Sequence, residues 1–139
     1  VKIMIEAYSN NITVSSNSLV PFKTVFKKNN SVVMSGDSTI QFKKCGIYDV
    51  SVNATGIAQA GGNVNLQLVI NGVAVPYAFA TETAGDTTSL HNLAFTAKVQ
   101  VPATVNGNCP CSPDFTVSVI NAGVETTYSL VNILVEKRC

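Results

Sequence analysis

The chemistry open to this 139-residue chain rests on four cysteines, one histidine and eight carboxylates. Cys45, Cys109, Cys111 and Cys139 are even in number, yet their spacing fits no standard zinc pattern. Free thiols, disulfides within or between subunits, and metal ligation all stay open on spacing alone. Cys109 and Cys111 flank Pro110 and are poorly placed to pair with each other, so a bridge would draw on Cys45 or Cys139. His91 lies in a strand-like run between Leu90 and Asn92, where a packed or edge role is expected rather than catalysis. Glu82 and Asp86 are the one close pair of carboxylates. Ca²⁺ wants six to eight oxygens, so a solvated loop is the simpler expectation there. No Gly-x-Ser-x-Gly, phosphate loop or dinucleotide fingerprint is present. Without a nucleophile, a base and a group to orient them, the chain is expected to be no enzyme and to need no metal or cofactor. Sequons at Asn11, Asn29 and Asn53 are about as many as chance would place among so many Asn, Ser and Thr residues.

Composition narrows the partners. Only 12% of residues are charged against 46% apolar, about half the ordinary charged share. Polarity comes instead from 14 Asn, 13 Thr and 12 Ser. Neutral polar surfaces of this kind suit particle coats, fibres and secreted modules, so a virion surface or extracellular setting is expected. The net charge is +1, and no basic cluster is longer than Lys27-Lys28 or Lys43-Lys44. That cannot neutralise a phosphate track, which argues against nucleic acid. No apolar run reaches the roughly 18 residues of a membrane span; the most apolar, Leu130 to Val135, is broken by Asn132. No leader-like segment is visible, and a start at Val1 suggests a processed or excised piece.

The elements that must position these groups read as strands throughout. Period-two alternation recurs along the chain and helical periodicity is nearly absent. Tyr48, Val50, Val52 and Ala54 alternate with Asp49, Ser51, Asn53 and Thr55. Val64, Leu66, Leu68 and Ile70 follow and end in Asn71-Gly72, the strongest short hairpin signal. Val73 to Phe79 is the return strand. Leu93 to Val101, Phe115 to Ile120 and Tyr128 to Val135 come later. Weaker candidates are Lys2 to Tyr8, Leu19 to Phe26, Val32 to Met34 and Thr39 to Phe42. Leu90, Leu93, Ala94 and Ala97 would also fit a helical face, but Val99-Gln100-Val101-Pro102 continues in strand idiom. Residues 1–139 are therefore expected to form one all-β domain, a two-sheet antiparallel sandwich or jelly roll. The last strand looks apolar on both faces, with Tyr128, Leu130 and Leu134 on one and Val131, Ile133 and Val135 on the other. Such a strand must be covered twice. Ile3, Ile5 and Ala7 against Met4 and Tyr8 repeat the habit, so Ile3, Ile5, Tyr128, Leu130, Val131, Ile133 and Val135 are expected at a subunit interface.

Three stretches resemble the tumour-necrosis-factor-like jelly roll, shared with the globular heads of complement-type proteins. They are Phe42-x3-Gly46-Ile47-Tyr48-x-Val50, Val64-x-Leu66-x-Leu68-x2-Asn71-Gly72, and the apolar strand from Tyr128. Bacterial and phage versions on spore-surface and virion fibres look most similar. The chain departs after Val101, where a Gly-Asp turn is common and Ala103 to Asp114 carries Cys109-Pro110-Cys111 instead. The resemblance implies a homotrimer with the first and last strands at the three-fold axis. With strands alternating in direction as in that fold, all four cysteines would gather at the pole of the termini, a possible disulfide cluster. The termini would attach to a stalk or particle. The opposite loops, Ser9–Ser18, Gln59–Gly62, Thr81–Thr88 and Ala122–Glu125, would be free for a host-surface ligand, with Asn10, Asn11, Gln59, Glu82, Asp86 and Glu125 as contacts.

Two functions follow. One is a non-enzymatic structural or adhesive domain of a virion or spore surface fibre or decoration. The other is a soluble receptor- or carbohydrate-binding module. Trp is absent and most Tyr and Phe residues lie in core phase, which leaves few aromatics for stacking on sugars and favours the first.

Overall fold

The computed structural model describes residues 3–102 and 115–138. Eleven strands follow in order: β1 (Met4–Val14), β2 (Ser18–Leu19), β3 (Lys23–Lys28), β4 (Val32–Ser35), β5 (Thr39–Phe42), β6 (Gly46–Ala58), β7 (Gly62–Ile70), β8 (Val73–Ala84), β9 (Leu90–Val101), β10 (Phe115–Asn121) and β11 (Thr126–Lys137). They form two antiparallel sheets, β3-β1-β11-β6-β9 and β4-β5-β10-β7-β8, with β2 added against β10. Leu90 to Ala97 is strand, in agreement with the Val-Gln-Val continuation.

Each strand turns one face inward, and the inward side chains of both sheets make one core. Val50, Val52, Leu66, Leu68, Ile40 and Val117 are among its buried members. At the pole where β5 hands over to β6, Phe42 packs edge-on against Tyr48 (4.6 Å between centroids) and Phe115 (5.7 Å). The Tyr48 hydroxyl donates to the Lys44 carbonyl at 2.6 Å, and burial pushes its pKa up to about 12.

The β7–β8 connection is the two-residue hairpin that Asn71-Gly72 announces. Asn71 and Gly72 have φ of 52° and 82°, and Ile70 pairs with Val73. The Asn71 side-chain oxygen accepts from the Thr116 N–H at 2.8 Å, tying the turn to β10. A side chain at residue 72 would meet no neighbour, yet the positive φ disfavours any β-branched residue. Gly72→Val should therefore cost about 1–2 kcal/mol, read as a lower urea midpoint at unchanged slope.

The expected interface residues sit elsewhere. Ile5, Tyr128, Val131, Ile133 and Val135 are fully buried within the single chain, and Ile3 is nearly so. The cause is a bulge in β11. Tyr128 pairs with Gly56 of β6 while Leu130 pairs with the very next residue, Thr55, so Ser129 is extra. One extra residue flips the alternation. Tyr128 and Val131, three apart, thus both face the core, while Leu130 turns outward at 41% exposure. Gly56 makes room for the ring: a Cβ there would lie 2.7 Å from Tyr128 Cδ1. The apparent second apolar face of β11 is a period error, and of the expected set only Leu130 can meet another subunit. β1 switches phase in the same way at Asn11, whose φ is 52°. Before it Ile5, Ala7 and Ser9 point inward, and after it Val14 does.

Four non-glycine residues have positive φ among the described residues: Asn11, Asn17, Asn29 and Asn71. All are asparagine, whose short polar side chain tolerates that region best.

Candidate functional site

Three turns meet at one pole through backbone hydrogen bonds. Gln59 N–H donates to Glu125 O (2.8 Å), Asn17 N–H to Asn121 O (2.7 Å), and Val124 N–H to Asn63 O (2.9 Å). Their keystone is Asn121, fully buried at the end of β10. Its amide donates at 2.9 Å to both Val14 O and Val124 O, and its oxygen accepts from Gly123 N–H at 3.2 Å. Gln59 and Glu125 occupy these turns, and the turn carrying Asp86 leaves the same end, since Ala84 pairs with Gly62. Asp86 is committed to its own turn: the N–H groups of Ser89 and Thr88 hold its carboxyl below the usual range.

Three of the expected loop contacts are on strands. Asn10 and Asn11 belong to β1, which runs on to Val14, and Glu82 belongs to β8. Glu82 is bound to His91: its carboxylate lies 2.5 Å from Nδ1 of that buried ring. The pair joins β8 to β9, the facing edge strands of the two sheets. The His91 Nε2 has no hydrogen-bond partner among the described residues. No group of three or more potential metal ligands occurs among the described residues.

Cys45 immediately precedes β6, at the pole opposite the Asn121 turns, and is disulfide-bonded. Cys109, Cys111 and Cys139 lie outside the described residues, as does the divergent segment 103–114.

The surface that sequence reading missed lies along the seam between β8 and β9. The pairing of β7 with β8 skips from Gln67↔Phe79 to Val69↔Ala74, a bulge in β8. It swings Tyr77 out to 70% exposure, with Phe79 at 46%; Leu90 on β9 is at 60%. Tyr77 flanks a cleft of about 500 Å³ shared with Ile47, Ile70, Val99 and Phe115. Phe26 is exposed as well, so the expectation that aromatics fall mostly in core phase understates the outer ones. The available signal was Pro76: proline cannot donate within a ladder and marks an edge strand or a bulge.

The outward face of the first sheet is mostly polar and internally paired. Asp49 bridges Lys98 (3.1 Å) and Arg138 (3.2 Å), and Asn132 donates to Glu6 at 3.1 Å. Leu130 stands among them as the exposed large apolar side chain of β11.

This architecture recurs in solved structures. Murine APRIL superposes with a TM-score of 0.73 at 7% identity, covering 99% of this chain and 100% of that one. The globular domain of zebrafish complement 1qA gives 0.66 at 10% identity, over 96% and 94%. The PRD1 vertex protein gives 0.58 at 15% identity, over 99% and 97%. The chain therefore has the tumour-necrosis-factor-like jelly-roll fold. No family of sequences matches it, and no curated sequence is significantly similar.

Proposed function

We propose that residues 1–139 form one non-enzymatic jelly-roll domain that assembles as a homotrimer and serves as a structural or adhesive element of a virion or spore surface. The observation that carries this reading is the β8–β9 seam. Tyr77 and Phe79 expose large aromatic side chains on the outer face of β8, Tyr77 beside the cleft that it shares with Ile47, Ile70, Val99 and Phe115. The match for that edge is the outward face of β1, β11 and β6 around Leu130. Edge against face is a heterologous contact, which closes into a ring when the rotation is three-fold. The fold's occurrence in a vertex protein and in a complement head fits a displayed, surface-exposed assembly. The disulfide at Cys45 suits an oxidising setting. In the trimer the termini face the stalk or particle, and the Asn121 turns face outward toward a host-surface ligand. Nothing in the reading calls for nucleic acid, a membrane span or a cofactor.

Light scattering at micromolar concentration should return three times the chain mass. Tyr77→Asp with Phe79→Asp should return the single chain with an unchanged strand spectrum, because the substituted side chains are exposed within the chain. A monomeric parent protein would remove the trimer.

A further inference from the structure

We propose that the cleft between β1 and the β4–β5 turn is a binding site for one neutral sugar ring. The cleft exists because β3 covers only part of β1. The β1–β3 ladder slips between Glu6 and Ala7 and ends at Tyr8↔Lys23. The chain on the far side of Lys23 leaves for the other sheet, where Val20 N–H donates to Val119 O. From Ser9 onward β1 thus has no ladder partner on that side among the described residues. The gap is held open rather than closed. The Ser9 hydroxyl donates to the Pro21 carbonyl, and Phe22 N–H donates to the Asp37 carbonyl at 2.5 Å. A cavity of about 330 Å³ results, at the low end of the range for small-molecule sites.

Its lining selects the ligand class. Ile12, Pro21 and Phe22 supply apolar surface, which suits the C–H face of a pyranose. Tyr8, Asn10, Lys23 and Asp37 supply a phenol, a carboxamide, an ammonium and a carboxylate around it. The two charges are opposite and cancel, so neither an anion nor a cation is favoured. What the four groups share is the capacity to donate to and accept from several hydroxyls at once. The Asp37 carboxylate and the Lys23 ammonium make no side-chain contact that would occupy them within 4 Å of an opposite charge among the described residues. The site lies on the edge opposite Tyr77 and Phe79, but Asn10 is the ladder partner of Leu130. Its rim therefore borders the face offered to a neighbouring chain, and binding is read in the Tyr77→Asp, Phe79→Asp chain as well as in the parent.

The test is saturation-transfer NMR on the full chain with free glucose, galactose, mannose, fucose, rhamnose and N-acetylglucosamine, each at millimolar concentration. Transfer to the ring protons of at least one is expected. Asp37→Asn and Tyr8→Phe, chosen to keep shape and fold, should each weaken it at least about fivefold, while Lys43→Gln, exposed at the far end of β5 from Asp37, leaves it unchanged. Thermal midpoints equal to the parent's confirm that the variants are folded. The proposal is overturned if no sugar shows transfer, if transfer survives both cleft variants, or if glucuronate or glucosamine binds better than every neutral sugar.

Discussion

Ile133→Asp should abolish folding of the chain, not merely separate subunits. Ile133 is fully buried beside Val131 and Val135 on the inward face of β11, and β11 is the central strand of its sheet. An aspartate there finds no cation. It must either stay ionised in an apolar core or be forced to bind a proton, and either outcome also forfeits the contacts of the isoleucine. A loss of about 4–5 kcal/mol or more follows, against a total stability of about 5–15 kcal/mol for a domain. Circular dichroism should show loss of strand signal and of a cooperative melt. A folded monomer would mean that residue 133 faces a partner and that the bulge at Ser129 is misplaced. The contrast with Tyr77→Asp is diagnostic, since that change should alter mass and spare the fold.

Asn121→Ala should be the most damaging single change at the opposite pole. The side chain is fully buried and bonds to the carbonyls of Val14 and Val124 and the N–H of Gly123. Alanine removes all three bonds and strands the Val14 carbonyl and the Gly123 N–H on that side, while the Val124 carbonyl keeps the Thr126 hydroxyl at 2.9 Å. At about 1 kcal/mol or more per stranded group, the cost is about 2–4 kcal/mol. Urea unfolding should show it as a lowered midpoint. Hydrogen exchange should show faster exchange at Asn17, Gln59 and Val124, whose N–H groups cross-link the turns. A cost below about 0.5 kcal/mol would mean water replaces the side chain without strain.

What the sequence disclosed follows from how local each signal is. The Asn71-Gly72 hairpin was legible because two adjacent residues fix that turn. The all-β class and the inward phase of β6 and β7 were legible because alternation there runs unbroken. The orientation of β11 was not. Its bulge at Ser129 is compensated by Gly56 on another strand, 73 residues earlier, so nothing within β11 announces it. In the sequence the first strand reads as Lys2 to Tyr8 with a loop from Ser9, whereas Asn11, with φ of 52°, lets β1 change phase and continue to Val14. The exposed seam was hidden for a similar reason. Val73 to Phe79 alternates as if half-buried, and the bulge that turns Tyr77 outward is set by pairing with β7, with Pro76 as the sole local hint.

The four left-handed asparagines carry a consequence for evolution of this surface. Glycine is the usual occupant of such positions, and it leaves the unfolded chain its widest freedom. Asparagine takes the same backbone shape while restricting the unfolded chain, which offsets part of the strain that a side chain meets at positive φ. At Asn11 and Asn17 exchange for glycine should be tolerated where exchange for valine is not, whereas at Asn29 and Asn71 glycine would also lose the bonds that the side-chain oxygen accepts from Ser31 and from the Thr116 N–H. Part of the high asparagine content is therefore conformational grammar, and the remainder alone reports on what the surface meets.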